Sequence, residues 1–118
     1  MKRRQQLYAK LDNAEAELRA VLLPALEEVA AGRDTMLFIT KYNNPWPELR
    51  NGSAAGNKIV QRARVIVTLA QQLGADTSDL LASKVLASFE AANDLKNANR
   101  VGPIRLAQQL LAEMSLGT

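Results

Sequence analysis

The residues best suited to molecular recognition are concentrated between positions 36 and 53. Phe38, Tyr42 and Trp46 are three of the five aromatic residues of the chain, and a proline lies on each side of the tryptophan. Tryptophan is frequent at interaction hot spots, and flanking prolines reduce the entropy that is lost on binding. Two interpretations of Trp46 stay open: it belongs to a binding edge, or it folds back as a hydrophobic lid over one end of the fold.

The segment that follows has a composition that could bind an anion. Residues 51–58 contain two glycines and lead into a predicted helix, and the first N–H groups and the dipole of a helix attract negative charge. The segment does not match a P-loop, because its glycines are too close together and no Ser or Thr follows Lys58. We therefore expect a flexible entry into the helix, with a weak anion site formed by Arg50, Ser53 and Lys58 as the alternative.

The composition removes most catalytic chemistry. The chain has no histidine and no cysteine, which excludes imidazole bases, thiolate nucleophiles and the usual zinc and iron ligands. Carboxylates remain, but pairs such as Glu27 and Glu28 are not spaced to reach one ion from one helix face. Glu90 and Asp94 share a face, but it lies away from the predicted core. The sequence therefore favours a protein that is not an enzyme, with no catalytic residue, metal site or cofactor.

The positive charge lies at the N-terminus. Lys2, Arg3, Arg4 and Lys10 contribute more than the whole formal net charge of +3, so the rest of the chain is close to neutral. Residues 1–6 are predicted to form a frayed basic arm. Such an arm could contact phosphates through Lys2, Arg3 and Arg4, although a protein that reads DNA usually carries a basic face on its fold.

Hydrophobic periodicity predicts an all-α fold in a single domain, residues 1–118. We expect an up-down bundle of four main helices at about 3–31, 54–73, 77–94 and 103–115, with a short extra helical turn at 35–42. Pro24 lies inside the apolar stripe of the first helix, and because the stripe continues in phase we expect a kink at Pro24 rather than a break. Asp76 and Asp79 have the spacing of a capping box for the third helix.

This topology brings the connection after the first helix and the asparagine-rich connection before the last helix to the same end. The residues expected to form a candidate interaction loop at that end are Tyr42, Trp46, Arg50, Asn51, Lys96, Asn97, Asn99 and Arg100. Arg62 falls inside the apolar arc of the second helix. Its side chain either extends along its own stem to solvent or pairs with a carboxylate or carbonyl of a neighbouring helix or a second subunit.

We predict a small non-enzymatic intracellular module for protein–protein interaction or self-association, including a homodimer. A 4-3-4-3 apolar row on the second helix supports bundle packing or self-association. One alternative is a nucleic-acid-associated protein, which requires binding that weakens steeply with salt. The other is a protein that binds a phosphate-containing small molecule at the loop end, which requires a ligand-induced rise in melting temperature. The apolar runs are too short to cross a membrane and no signal-peptide pattern is present, so we expect a cytoplasmic location.

Overall fold

The described part of the chain consists mainly of helix. The computed structural model of the protein describes residues 2–34, 36–42, 52–93 and 101–116. Four α-helices lie in these ranges: α1 (Lys2–Ala30), α2 (Ala54–Gln72), α3 (Leu81–Asn93) and α4 (Val101–Leu116). No β-strand lies in the same ranges, where the only pairing of extended backbone is one isolated bridge. The predicted all-α class with four main helices is confirmed.

The helices form an up-down-up-down bundle in which α1 packs between α2 and α4. The Arg4 guanidinium at the start of α1 donates to the Leu73 carbonyl at the end of α2 across 3.0 Å. Arg19, near the middle of α1, donates to the Met114 carbonyl near the end of α4 across 2.8 Å. Ile104 at the start of α4 lies beside Gly32, just beyond the end of α1, so both neighbours run antiparallel to α1. At about 1.5 Å per residue, α1 is about 43 Å long and is the longest of the four described helices.

Side chains from all four helices meet in one core. The predicted apolar row of α2 faces this core, since Ile59, Ala63, Ile66 and Ala70 are each at most 2% exposed. Packing within one chain therefore accounts for that row, and any surface for a partner must lie elsewhere. The other helices contribute Leu18, Leu22, Leu26, Val29, Val85, Phe89, Ala107 and Leu110.

Helix α1 continues through Pro24 without a break, as the phase of its apolar stripe predicts. Pro24 lacks an N–H group, so the carbonyl of Ala20 loses its usual helical partner. Both residues are exposed, and water can satisfy the free carbonyl on that side. Leu22 and Leu26, on either side of Pro24 in the chain, are completely buried. The proline therefore interrupts the solvent side of the helix and leaves its packed side intact.

Residues 36–42 do not form the short helical turn that is predicted at 35–42. The Ile39 N–H donates to the Met36 carbonyl at 2.9 Å, which makes one hydrogen-bonded turn. Thr40 then pairs with Gly52 in the isolated antiparallel bridge. The segment is nevertheless part of the core, because Phe38 is 1% exposed. The local structure predicted at 35–42 is therefore wrong for the described residues 36–42, and their burial is a finding of the structure.

Two glycines let this segment lie directly against the start of α2. A Cβ atom at Gly52, where φ is +64°, would overlap the carbonyl oxygen of Ile39. A Cβ atom at Gly56, in the first turn of α2, would overlap the carbonyl oxygen of Leu37. A larger residue at either position would therefore separate the two segments. The backbone contact explains why 36–42 forms turns and a bridge instead of an independent helix.

Helix α3 begins at Leu81 rather than at position 77 because a carboxylate from α1 caps it. The Leu81 N–H donates to Oε1 of Glu15 at 2.9 Å, and the Ala82 N–H donates to Oε2 of the same side chain at 3.0 Å. Asp76 instead accepts from the Ser78 backbone N–H and hydroxyl. These two bonds lower the pKa of the Asp76 carboxyl. The capping box predicted at Asp76 is therefore wrong.

Candidate functional site

A groove of about 560 Å³ lies between α1 and α2 on the outside of the bundle. We refer to it as the α1–α2 groove. Val65 lies beside it in the middle of α2 and is 64% exposed, more than any other large hydrophobic residue in the described ranges. The groove therefore combines an exposed apolar residue with charges of both signs. Its lining residues are apolar at Ala14, Val65 and Ile66 and polar at Glu17, Lys58, Gln61 and Arg62.

Arg62 forms an ion pair across this groove and stays half-exposed. Its Nη1 atom lies 3.7 Å from Oε2 of Glu17, and the two side chains are 49% and 70% exposed. The structure therefore combines the two interpretations of Arg62, since the side chain reaches solvent and also pairs with a carboxylate of a neighbouring helix. Exposed ion pairs contribute only about 0–1 kcal/mol. Exchanging this pair for a contact with another molecule would consequently cost little.

A second cavity of about 370 Å³ lies where residues 36–42 meet α2 and α3, and we refer to it as the loop-end cleft. The Arg64 guanidinium lies 4.2 Å from the centroid of the Tyr42 ring, and the Lys41 ammonium lies 5.2 Å from it. Both distances are typical of cation–π contacts. No local pattern in the sequence singles out Arg64, because only the folded chain brings positions 42 and 64 together. The cleft is lined by Thr40, Tyr42, Val60, Arg64, Leu86, Phe89 and Glu90.

Comparisons of the chain with protein-family models, curated proteins and solved structures found no match. The function is therefore inferred from the geometry of the chain itself. The α1–α2 groove and the loop-end cleft each place an exposed residue with a large apolar surface beside charges, Val65 in the groove and Tyr42 in the cleft.

The predicted interaction loop lies almost entirely outside the described residues. Tyr42 is its one described member, and that residue is 37% exposed. The positions outside the described ranges are Trp46, Arg50, Asn51, Lys96, Asn97, Asn99 and Arg100. The choice between a lid and a binding edge for Trp46 therefore stays a prediction.

Two members of the predicted anion site, Ser53 and Lys58, lie in different surroundings. Ser53 is the N-cap of α2, and its Oγ accepts the Gly56 N–H at 3.0 Å. Lys58 is exposed and lines the α1–α2 groove. Arg50, the third member, is outside the described ranges. The Ser53 hydroxyl thus caps the helix with its own oxygen, and Lys58 belongs to the groove.

Of the residues predicted to form a frayed basic arm, positions 2–6 lie within the first turns of α1, which begins at Lys2, and position 1 is outside the described ranges. Arg3 is exposed. Arg4 donates to the Leu73 carbonyl, and its guanidinium carbon lies 5.9 Å from the centroid of the Tyr8 ring. A phosphate that approached Arg4 would compete with both contacts. The arm therefore offers fewer free charges than its sequence suggests.

Several charged residues lie around the start of α3, and two of them, Glu15 and Arg19, form hydrogen bonds with other helices of the bundle. Glu15 caps α3, and Arg19 binds the carbonyl of Met114.

In the described ranges, no group of three or more carboxylates is placed to hold a metal ion. In the same ranges, no helix has the length and apolar character needed to cross a membrane.

Proposed function

We propose that this protein is a small non-enzymatic helical module that binds a protein partner through the α1–α2 groove. The observation that carries the proposal is the 64% exposure of Val65 in the middle of α2. Single exposed apolar residues are ordinary on protein surfaces. Val65 differs because the groove beside it also contains Ala14 of α1, which is partly exposed. A partner side chain placed there contacts apolar atoms of both helices.

Burial of Val65 would contribute measurably to binding. Full burial of a valine side chain contributes about 1.5–3 kcal/mol, and roughly two thirds of Val65 is still exposed. Covering it would therefore contribute about 1–2 kcal/mol. Charged residues at the rim, such as Glu17 and Arg62, would fix the orientation of the partner and increase the association rate. An apolar centre with a polar rim is the usual anatomy of a protein interface.

The charge distribution favours a protein partner over a nucleic acid. The groove contains Glu17 as well as Lys58 and Arg62, so it presents both signs instead of the basic face that phosphates require. Arg4, a member of the predicted basic arm, already has intramolecular contacts. The chain also has no histidine or cysteine, which supports a binding role over most kinds of catalysis.

Site-specific photo-cross-linking in cells that make the protein tests this proposal. A photoreactive phenylalanine analogue at position 65 should form a discrete adduct with another polypeptide. The matched control is position 71, where Gln71 is also exposed on α2 and lies about 120° around the helix axis from Val65. We expect at least several-fold less adduct from position 71. Equal yields at the two positions, or no adduct at position 65, would refute the proposed function.

The same surface can be tested with ordinary substitutions. With the photoreactive residue at position 61, Val65→Arg should abolish the adduct because it places a charge against the apolar part of the interface. Gln71→Arg introduces the same charge on the same helix and should leave the adduct unchanged. Since Val65 is mostly exposed, both variants should retain the wild-type melting temperature to within about 2 °C. A shared loss of adduct in both variants would indicate a general disturbance of the fold.

A further inference from the structure

The charges of the α1–α2 groove are complementary to those of the same groove in another copy of the chain. Glu17 of α1 lies opposite Arg62 of α2 across the groove, with 3.7 Å between their charged atoms. Ala14 of α1 lines the groove together with Val65 of α2. Each helix thus carries one half of a charge pair and one half of an apolar pair.

We propose that the partner in this groove is a second copy of the chain, related to the first by a twofold axis that runs along the groove. This inference rests on the proposed function of the groove. Such an axis is parallel to both helices, so it places α2 of one copy over α1 of the other without a shift along the groove. Every pair that faces across the groove then also faces across the interface. Arg62 of one copy meets Glu17 of the other, and Val65 meets Ala14.

Three properties of the groove favour a second copy as the occupant. A twofold interface must be self-complementary, and a groove with Glu17 on one wall and Arg62 on the other satisfies this requirement. The intramolecular pair is exposed, so its charges can be exchanged between copies at little cost. Ala14 is small, which leaves room for the exposed Val65 of the second copy.

The face is small for a stable dimer interface. Helix α2 has 19 residues and is about 28 Å long, and two adjacent helices are about 20 Å wide, which gives roughly 560 Å² per copy. Stable complexes bury about 800 Å² per partner. The dimer is therefore concentration-dependent, and its dissociation constant should fall in the micromolar range or above.

Reversal of the two charges gives a test in which only intermolecular contacts can restore association. In a dimer of Glu17→Arg, Arg62 of each copy meets the new arginine of the other copy. In a dimer of Arg62→Glu, Glu17 of each copy meets the new glutamate of the other copy. Each variant alone should dimerise on the order of 30-fold more weakly than the wild type, because two symmetric pairs become repulsive. In an equimolar mixture, both cross-interface pairs become attractive again. The intramolecular pair stays repulsive in both variants, so it cannot explain recovery.

Sedimentation equilibrium and native mass spectrometry between about 10 μM and 1 mM compare four samples: the wild type, the two reversal variants and their mixture. We expect a concentration-dependent dimer for the wild type, a dimer that forms only at roughly 30-fold higher concentration for each reversal variant, and a heterodimer with about the wild-type dissociation constant in the mixture. Glu27→Arg reverses an exposed acid of α1 outside the groove and should dimerise like the wild type. Circular dichroism should give all variants the wild-type helical content.

Two results would overturn the second-copy inference. The first is a wild-type protein that stays monomeric up to about 1 mM, and the second is a mixture that stays monomeric while the wild type dimerises. The cross-linking experiment separates this failure from failure of the proposed function. An adduct between position 65 and a different protein alone keeps the groove as a binding site and removes the second copy as its occupant.

Discussion

Replacing Glu15 with alanine should destabilise the protein by about 2 kcal/mol, because it removes the carboxylate that caps α3. The Leu81 and Ala82 N–H groups donate to the two carboxylate oxygens at 2.9 and 3.0 Å in a partly buried site. Loss of an N-cap costs about 0.5–2 kcal/mol, and hydrogen bonds to a charged group contribute about 1.5–3 kcal/mol. Two bonds to a charged group would together contribute more than about 2 kcal/mol. The expected loss is smaller because water can reach the site and because alanine has a helix propensity a few tenths of a kcal/mol more favourable than glutamate.

Urea denaturation followed by circular dichroism at 222 nm measures the loss directly. For 118 residues, an unfolding entropy of about 2.1 cal/mol/K per residue converts 2 kcal/mol into a fall in melting temperature of about 8 °C. Glu15→Gln keeps one acceptor oxygen and loses the charge, so its loss should be about half as large. The slope of unfolding free energy against urea should stay constant, since the core is unchanged.

Glu17→Ala is the matched control for this prediction. Glu17 lies two positions further along the same helix, is 70% exposed and, among the described residues, pairs with Arg62 at 3.7 Å. Its loss should be below about 0.5 kcal/mol. If Glu15→Ala and Glu17→Ala lower the urea midpoint by the same amount, the Glu15 carboxylate does not stabilise the start of α3.

Two further predictions concern the turns and the charges. Gly56→Ala should lower the unfolding free energy by about 2 kcal/mol or more despite alanine's advantage of about 1 kcal/mol in helix propensity, because its Cβ would overlap the Leu37 carbonyl oxygen. The control is Gly74→Ala, whose Cβ has open space around it. It should cost only the strain of a φ of +70°, about 1–2 kcal/mol. Urea midpoints compare the two variants, and a Gly56→Ala variant that is more stable than Gly74→Ala would contradict the close approach of Gly56 to Leu37. The Asp76 carboxyl should titrate below its ordinary pKa, because it accepts first from the Ser78 backbone N–H and then from the Ser78 hydroxyl. Ser78→Ala removes only the hydroxyl bond, so a carboxyl NMR titration should show the pKa rising part of the way, and an unchanged pKa would exclude the hydroxyl as a cause. Because folding lowers this pKa, its contribution to stability is present above the unfolded value of about 3.9 and is lost as the pH falls through the folded value.

Local patterns predicted the helices well because each helix carries its own apolar stripe and end signals. The second helix was expected at 54–73 and lies at Ala54–Gln72, with Ser53 as its N-cap and Gly74 just beyond its end at φ +70°. The stripe of α1 also predicted continuity through Pro24, because packing on one side tolerates a missing hydrogen bond on the other.

The predictions failed where a distant residue decides the local structure. Helix α3 begins at Leu81 because Glu15, 66 positions away, supplies its cap. Residues 36–42 form turns and a bridge because Gly52 and Gly56 allow the backbone of α2 to come close. Neither effect leaves a periodic signal in the sequence. For the groove, the sequence identified Arg62 as unusual, but only the fold shows that Glu17 is its partner.

The bridge between Thr40 and Gly52 holds together the two ends of the connection between α1 and α2. The ends of this connection are joined by backbone groups, including a hydrogen bond of 2.6 Å from the Ser53 N–H to the Ile39 carbonyl. Backbone hydrogen bonds do not depend on the identity of the side chain, so non-proline substitutions at Ile39 or Ser53 should keep this bond as long as Gly52 is retained. The contact is therefore set by main-chain groups and one glycine, at the opposite end of α2 from the Arg4–Leu73 contact.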